Sequence, residues 1–281
     1  MGRFRNSLAL AKSSWSVLSA DRELIALPLL SFLATLVVAA TFLLPIIATS
    51  HATAADGSRQ TSLGPVQYIL IFVGYVLLAY VTIFFNAALV HAADERMRGG
   101  NPSLKSALRG AASHAGQILP WAIVSATVSL ILRAVQERGG IVARIAAGFA
   151  GMAWSLVTFL VLPIMVIEGL TVGAAIKRSS TLFKKTWGEQ VIANAGLGLV
   201  GLVAVLCGLP LLLLATAGIG VLTVIGIGAF VAWVALVACV TAALSGVFQT
   251  ALYHYAANGM PPAAFAKAEI EGAFHPKRRR G

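Results

Sequence analysis

Long apolar runs alternate along the chain with short segments that carry nearly all of its charges. A helix that crosses the hydrocarbon core of a bilayer needs about 20 apolar residues. The stretch from Val191 to Tyr253 contains no Asp, Glu, Lys, Arg or His. It is too long for one crossing, so it predicts a helical hairpin. The whole pattern predicts an all-α integral membrane protein with six transmembrane helices, near residues 24–49, 66–92, 117–135, 142–167, 190–215 and 219–253.

The composition agrees with a chain that lies mostly within a bilayer. Of the 281 residues, 58% are hydrophobic and 11% are charged, whereas a soluble domain carries about 25% charged residues. The net charge of +11 is a reason to consider nucleic acid as a partner. However, the cations flank the apolar runs, which is typical of orientation in a membrane. We therefore expect a single transmembrane domain over residues 1–255, a basic cytoplasmic tail over residues 256–281, and no nucleic-acid partner.

The Lys and Arg residues indicate which way the chain crosses the membrane. With six spans, seventeen of the 21 fall on one side, and the other four fall on the opposite side. Because cytoplasmic loops carry an excess of Lys and Arg, we predict a multi-pass protein of the cell (plasma) membrane with both termini in the cytoplasm. Arg133, Arg138 and Arg144 do not fit this rule. Either they reach up to the outer interface, or spans three and four do not cross fully.

A basic segment precedes each odd-numbered span, and the third of these segments is amphipathic. A helix over residues 174–187 has one apolar arc and an opposite arc with four cations. Such a helix is typical of the membrane interface, so we predict that it lies flat on the inner leaflet, with Phe183 and Trp187 inserted and the cations facing anionic lipid head groups. The apolar arc comprises Ala175, Ile176, Ser179, Leu182, Phe183 and Trp187, and the cations are Lys177, Arg178, Lys184 and Lys185.

Weaker segments of the same kind occur near residues 4–18 and 104–109. The three segments suggest a three-fold repeat, in which an amphipathic interfacial helix leads into a two-helix hairpin, over residues 1–92, 93–168 and 169–255. The alternative is that any protein with a cytoplasmic N-terminus acquires basic segments before its outward spans.

The sequence offers no catalytic, metal-binding or cofactor-binding pattern. Ion-coupled carriers and intramembrane aspartyl proteases need carboxylates within their spans, whereas the acidic residues here lie at span ends or outside the spans. The five histidines are scattered, and neither H-E-x-x-H nor G-x-S-x-G occurs. We therefore expect no catalytic residues, no metal, no cofactor and no enzymatic activity.

Glu168 is the acidic residue best placed for a structural role. It ends span four and stands directly before Gly169 and the basic helix. A carboxylate there can pair with Lys177, Arg178 or another nearby cation, and so fix the helix against the bundle. The alternative is a solvated carboxylate at the end of a span.

Several motifs carry a resemblance to a known family. They are P-x4-E-G from Pro163, A-I-K-R-S from Ala175, K-T-W-G-E from Lys185, K-S-S-W from Lys12 and Y-H-Y-A from Tyr253. Over nearly its whole length the chain resembles a family of prokaryotic polytopic membrane proteins that is classed only as a domain of unknown function. More distantly, it is similar to the membrane-anchor domain of some glycerophosphodiester phosphodiesterases, without their catalytic domain. The resemblance implies a bacterial-type plasma-membrane protein, and it supplies no activity.

These observations favour a non-enzymatic membrane scaffold that partners other envelope proteins or lipids through its basic cytoplasmic face. The alternative is a transporter or lipid-handling protein with a cavity between kinked spans. A pocket open to one leaflet and lined by Asn86 or Asn194 would favour that alternative. An enzyme that acts on lipid ranks third, because it would need a polar cluster that the sequence does not display.

Overall fold

The computed structural model describes residues 22–54, 64–213 and 220–258, and within residues 22–25, 46–54, 184–200 and 213 it describes the backbone alone. All regular structure in these ranges is helical. The helices are α1 (Arg22–Ala54), α2 (Pro65–Met97), α3 (Leu104–Ser113), α4 (Ala115–Arg138), α5 (Ile141–Thr158), α6 (Val161–Ile167), α7 (Val172–Leu206), α8 (Pro210–Leu213) and α9 (Gly220–Asn258).

The prediction of an all-helical fold is confirmed over the described residues, and five segments are long and apolar enough to cross a membrane. They correspond to predicted spans one, two, three, four and six, and are Ala26–Pro45, Pro65–Met97, Ala115–Arg138, Ile141–Ile167 and Gly220–Asn258. The first half of the fifth predicted span, 190–215, falls where α7 is described by its backbone alone. A shorter apolar helical segment, Gly201–Leu212, lies near its end. The count of six spans stays a prediction.

The structure corrects the prediction of a separate interfacial helix over residues 174–187. These residues continue without interruption into the fifth predicted span, as the 35-residue helix α7. The expected boundary lay near Gly188. A glycine inside a helix costs only about 1 kcal/mol relative to alanine, which the flanking helical residues offset. A segment that continues as one helix into a span is not an independent helix on the leaflet surface.

The weaker amphipathic segment near residues 104–109 does form a separate helix, α3. Its first turn is closed by two reciprocal hydrogen bonds, because the Ser106 N–H donates to Ser103 Oγ at 3.0 Å and the Ser103 N–H donates to Ser106 Oγ at 3.0 Å. His114 then separates α3 from α4. The second and third units of the suggested repeat therefore differ in this connection, and residues 4–18 of the first unit lie outside the described residues.

The fourth predicted span is broken into α5 and α6. Pro163 has no N–H to donate to the carbonyl four residues earlier, which is that of Phe159. The side-chain amide of Gln249, in α9, donates to this carbonyl instead. Just before the break, the Ser179 hydroxyl of α7 donates to the Val157 carbonyl at 2.5 Å. Polar side chains from two neighbouring helices therefore satisfy the backbone where the span is interrupted.

Buried side chains concentrate at one end of the helices, which we call the packed end and define as residues 83–118, 157–183 and 243–258. It supplies most of two clusters of buried hydrophobic residues. Within these three ranges no large hydrophobic side chain is exposed. The packed end thus has an apolar interior and a surface of small and polar side chains, as a water-soluble bundle has.

The remainder of the helices shows the opposite pattern. We call residues 29–45, 66–77, 141–152, 202–209 and 221–236 the apolar belt. Large hydrophobic side chains point outward throughout it, for example Phe149 at 67% and Val224 at 72% exposure. A surface of this kind is stable against lipid tails and unstable against water.

Candidate functional site

Glu168 lies where three helices meet at the packed end. It caps the C-terminus of α6, and its Oε1 atom accepts a hydrogen bond from the Tyr253 hydroxyl of α9 at 2.9 Å. The same oxygen lies 3.3 Å from Nε of Arg178, on α7. The Glu168 side chain is 23% exposed and that of Arg178 is 42% exposed. Of the cations that the sequence offered as partners, the structure brings Arg178 to Glu168, and it leaves Lys177 exposed.

The next residue of α9 makes a second polar link. His254 Nε2 lies 2.7 Å from Asp94 Oδ1, on α2, and each of the two side chains is 14% exposed. Asp94 also pairs with Arg98 one turn further along α2, at 3.0 Å. Consecutive residues of α9 therefore tie this helix to α2 on one side and to α6 and α7 on the other. We call Asp94, Arg98, Glu168, Arg178, Tyr253 and His254 the polar network.

Sequence reasoning missed most of the polar network. In the sequence, Tyr253 and His254 stand out only through the motif Y-H-Y-A, and His254 is also one of five scattered histidines. Their position was the one signal that could have identified them, because they stand at the end of the longest charge-free stretch of the chain. Polar side chains at the end of an apolar helix need partners if neighbouring helices extend beyond them. The partners lie about 85 and 160 positions away in sequence, so spacing alone did not reveal them.

The structure shows what the residues of the motif P-x4-E-G do. Pro163 interrupts the backbone hydrogen bonds of the span, and Glu168 closes α6 and receives Tyr253 and Arg178. Gly169 follows with a φ of +67°, in the left-handed region that glycine adopts at little cost. Gln117 Nε2 donates to the Gly169 carbonyl at 3.3 Å. The motif therefore builds the turn that leads into α7.

The predicted lipid-facing arc of α7 requires a correction. Ala175, Ser179 and Leu182 are at most 1% exposed; Ala175 and Leu182 pack in a cluster with side chains of α4, α6 and α9. Phe183 is half-buried. The apolar arc thus faces protein over this part of the helix. Periodicity shows that one face of a helix avoids water, but it does not distinguish lipid from protein as the covering.

The basic arc of α7 does point away from the bundle, since Lys177 and Arg178 are exposed. The side chains of Trp187, Lys184 and Lys185 lie outside the described ones, so their predicted contact with lipid stays a prediction.

The acidic side chains of the packed end are drawn inward, whereas its exposed charged side chains are cations. Asp94, Glu95 and Glu168 are all half-buried. Asp94 and Glu168 belong to the polar network, and Glu95 accepts a hydrogen bond from Ser106 Oγ at 3.0 Å. The exposed charged residues of the packed end are Arg98, Lys105, Arg109, Lys177 and Arg178. This end therefore presents a positive surface.

The arrangement suits holding helices together and attracting anions. The carboxylates of the polar network already accept hydrogen bonds from Tyr253, His254, Arg98 or Arg178. Among the side chains that the structure describes, no three His, Cys, Asp or Glu residues are grouped closely enough for a metal ion.

Taken together, the apolar belt and the five candidate spans define a multi-span helical membrane protein. The chain belongs to a family of unknown function, DUF6159, whose model matches residues 65–263. The match covers the packed end and the whole polar network. A search of curated proteins finds no match.

Proposed function

We propose that this chain is a non-enzymatic component of the plasma membrane that organises or partners envelope proteins or lipids through a basic cytoplasmic face. One observation carries the proposal: the exposed charged residues of the packed end are cations, while its carboxylates are engaged within the bundle. Such a surface attracts anionic partners over distances of about 10 Å at moderate salt.

The proposal includes six spans with both termini in the cytoplasm, which places the packed end inside the cell. Single cysteines at Ala112 and Gly140 test this topology, in a protein without Cys207 and Cys239. Ala112 is exposed on α3. A Cβ at Gly140, in the turn between α4 and α5, would meet no atom within 4 Å. We expect an impermeant thiol reagent to label position 140 in intact cells and position 112 only after permeabilisation. Labelling of position 112 in intact cells would contradict the orientation.

The functional proposal predicts that partners depend on the basic face. The test variant replaces Lys105, Arg109 and Lys177 with glutamine, and leaves Arg98 and Arg178 in their ion pairs. The matched control replaces Arg133, Arg138 and Arg144 with glutamine, which removes the same charge from the opposite side. Purification in mild detergent, with identification of bound proteins and lipids together, is expected to show a severalfold loss of specific partners for the test variant only. Equal recovery from wild type, test and control would contradict the proposal.

A further inference from the structure

We infer that the packed end stands clear of the hydrocarbon on the cytoplasmic side as a helical head, and that Lys177 and Arg178 on its flank bind the phosphate of anionic phospholipids in the inner leaflet. The inference rests on the proposed function for its orientation. It deepens that function by naming anionic phospholipid as the partner of this face.

The surface chemistry of the helices changes along their length. Exposed large hydrophobic side chains reach toward the packed end as far as Leu77 on α2, Leu119 on α4, Met152 on α5 and Leu236 on α9, and none is exposed in the packed end. A lipid-facing surface needs apolar side chains, whereas a surface in water needs polar ones. The boundary of the hydrocarbon therefore crosses the helices between the apolar belt and the packed end.

Helix length supports the same boundary. At 1.5 Å per residue, the 33 residues of α2 and the 39 residues of α9 extend roughly 50 and 58 Å. The hydrocarbon core is about 30 Å thick, and a tilt of about 20° absorbs only a few ångströms of the difference. Both helices therefore project well beyond the hydrocarbon, and their projecting part is the end without exposed hydrophobic side chains.

The location of the buried core supports the same boundary. The hydrophobic effect drives burial only where the alternative is water, and between helices in lipid that driving force is missing. Side chains such as Phe248 and Leu89, at 1% exposure, are buried in the part of the bundle that would otherwise meet water. In the apolar belt, lipid takes the place of the core.

Lys177 and Arg178 lie close to the boundary on the cytoplasmic side. Met152 is the last exposed large hydrophobic side chain of α5. Val157, five residues further toward the packed end, accepts the hydrogen bond from Ser179. The backbone of Lys177 and Arg178 thus lies roughly 10 Å beyond Met152 by the helical rise. This is the depth of the lipid head groups.

The contact with Glu168 holds Arg178 in a geometry that suits phosphate binding. The contact between the two residues uses Nε of the guanidinium and Oε1 of the carboxylate. The terminal nitrogens of Arg178 are then left for an outside acceptor, and a guanidinium fork matches a phosphate well. Lys177 adds a second exposed cation on the neighbouring position. A zwitterionic lipid offers the phosphate without net charge, so the pair selects anionic lipid.

The position of the head is tested with single spin-labelled cysteines in nanodiscs. Positions 112 and 174 are exposed in the packed end, and positions 149 and 224 are exposed in the apolar belt. We expect a water-soluble relaxation agent to reach the first two labels and oxygen to reach the last two. If oxygen, and not the water-soluble agent, reaches the labels at positions 112 and 174, the inference that this end projects from the hydrocarbon is overturned.

Lipid selectivity is tested by reconstitution in nanodiscs that contain phosphatidylglycerol and phosphatidylcholine, followed by counting of retained lipids by native mass spectrometry. The wild type is expected to retain phosphatidylglycerol severalfold over its share, and less as salt rises. Lys177→Gln with Arg178→Gln should abolish this selectivity, and Lys177→Gln alone should reduce it. Arg138→Gln with Arg144→Gln, on the opposite side, should leave it unchanged. Competition by inorganic phosphate at millimolar concentration would point to free phosphate as the ligand and overturn the lipid assignment.

The two proposals fail in different ways. Unchanged lipid selectivity in the Lys177 and Arg178 variants, together with loss of a protein partner from the basic-face variant, overturns this inference and leaves the proposed function standing. Unchanged selectivity together with unchanged partners overturns both.

Discussion

Replacement of Gly110 with alanine is expected to lower the free energy of unfolding by about 1–3 kcal/mol, because the site is already filled. Gly110 is buried on α3, and an added Cβ would lie 2.3 Å from Cδ2 and Cγ of His91 on α2. The overlap is with a planar ring, which has less freedom to move aside than the end of a flexible chain. The gain in helix propensity from glycine to alanine, about 1 kcal/mol, does not offset a displacement of α3 from α2. Thermal unfolding in detergent measures the effect.

Gly148→Ala is the matched control for Gly110→Ala. Gly148 lies within α5, and a Cβ there would meet no atom within 4 Å. This change carries the propensity gain without the overlap, so it is expected to leave the midpoint of unfolding equal or slightly raised. If both variants unfold at the same temperature, α3 is not packed against His91 as the structure shows.

The second large effect is expected from Glu168→Gln, with a loss of about 1–2 kcal/mol in the free energy of unfolding. The substitution keeps the shape of the side chain but removes the charge that strengthens hydrogen bonds from Tyr253 and Arg178. Hydrogen bonds to a charged group contribute more than neutral ones. The partial exposure of Arg178 limits the loss. Thermal unfolding in detergent, with expression level as a second readout, measures it.

A double-mutant cycle separates the partners of Glu168. Tyr253→Phe and Arg178→Gln each remove one donor, and each combined with Glu168→Gln should destabilise less than the sum of the single changes. Additive effects in both cycles would mean that the contacts contribute nothing as pairs. If Glu168→Gln is as stable as the wild type, the pairing role is wrong and Glu168 is a solvated carboxylate at the end of a span.

The sequence of α7 predicts one apolar face and one basic face, and Lys177 and Arg178 on the basic face are exposed. At Ala175 and Leu182 the apolar face is covered by protein, because both pack in a cluster with Trp121 and other side chains of the bundle, and the insertion of Phe183 and Trp187 in lipid stays a prediction. A helical wheel ranks the faces of one helix by their aversion to water. It contains no information on whether lipid or a neighbouring helix covers the apolar one.

At the break after α5, the sequence indicates the interruption and the tertiary structure decides how it is compensated. Proline removes one backbone hydrogen bond wherever it stands in a helix, so Pro163 indicates that the span can be interrupted there. Which groups would compensate was open, because Gln249 is 90 positions away and Ser179 lies on a different helix from Val157. Only the packing of α7 and α9 against the break brings these side chains within reach.

The sequence by itself determined the class of protein and the approximate place of its spans. The transfer of a segment from water to lipid depends on the sum of its residues, so composition and length within a window are enough. The tertiary structure decided which part of each helix is covered by protein, and that Tyr253 and His254 join α9 to Glu168 and Asp94. Those outcomes depend on contacts between helices far apart in the chain, and a local pattern does not encode which distant helix will lie against it.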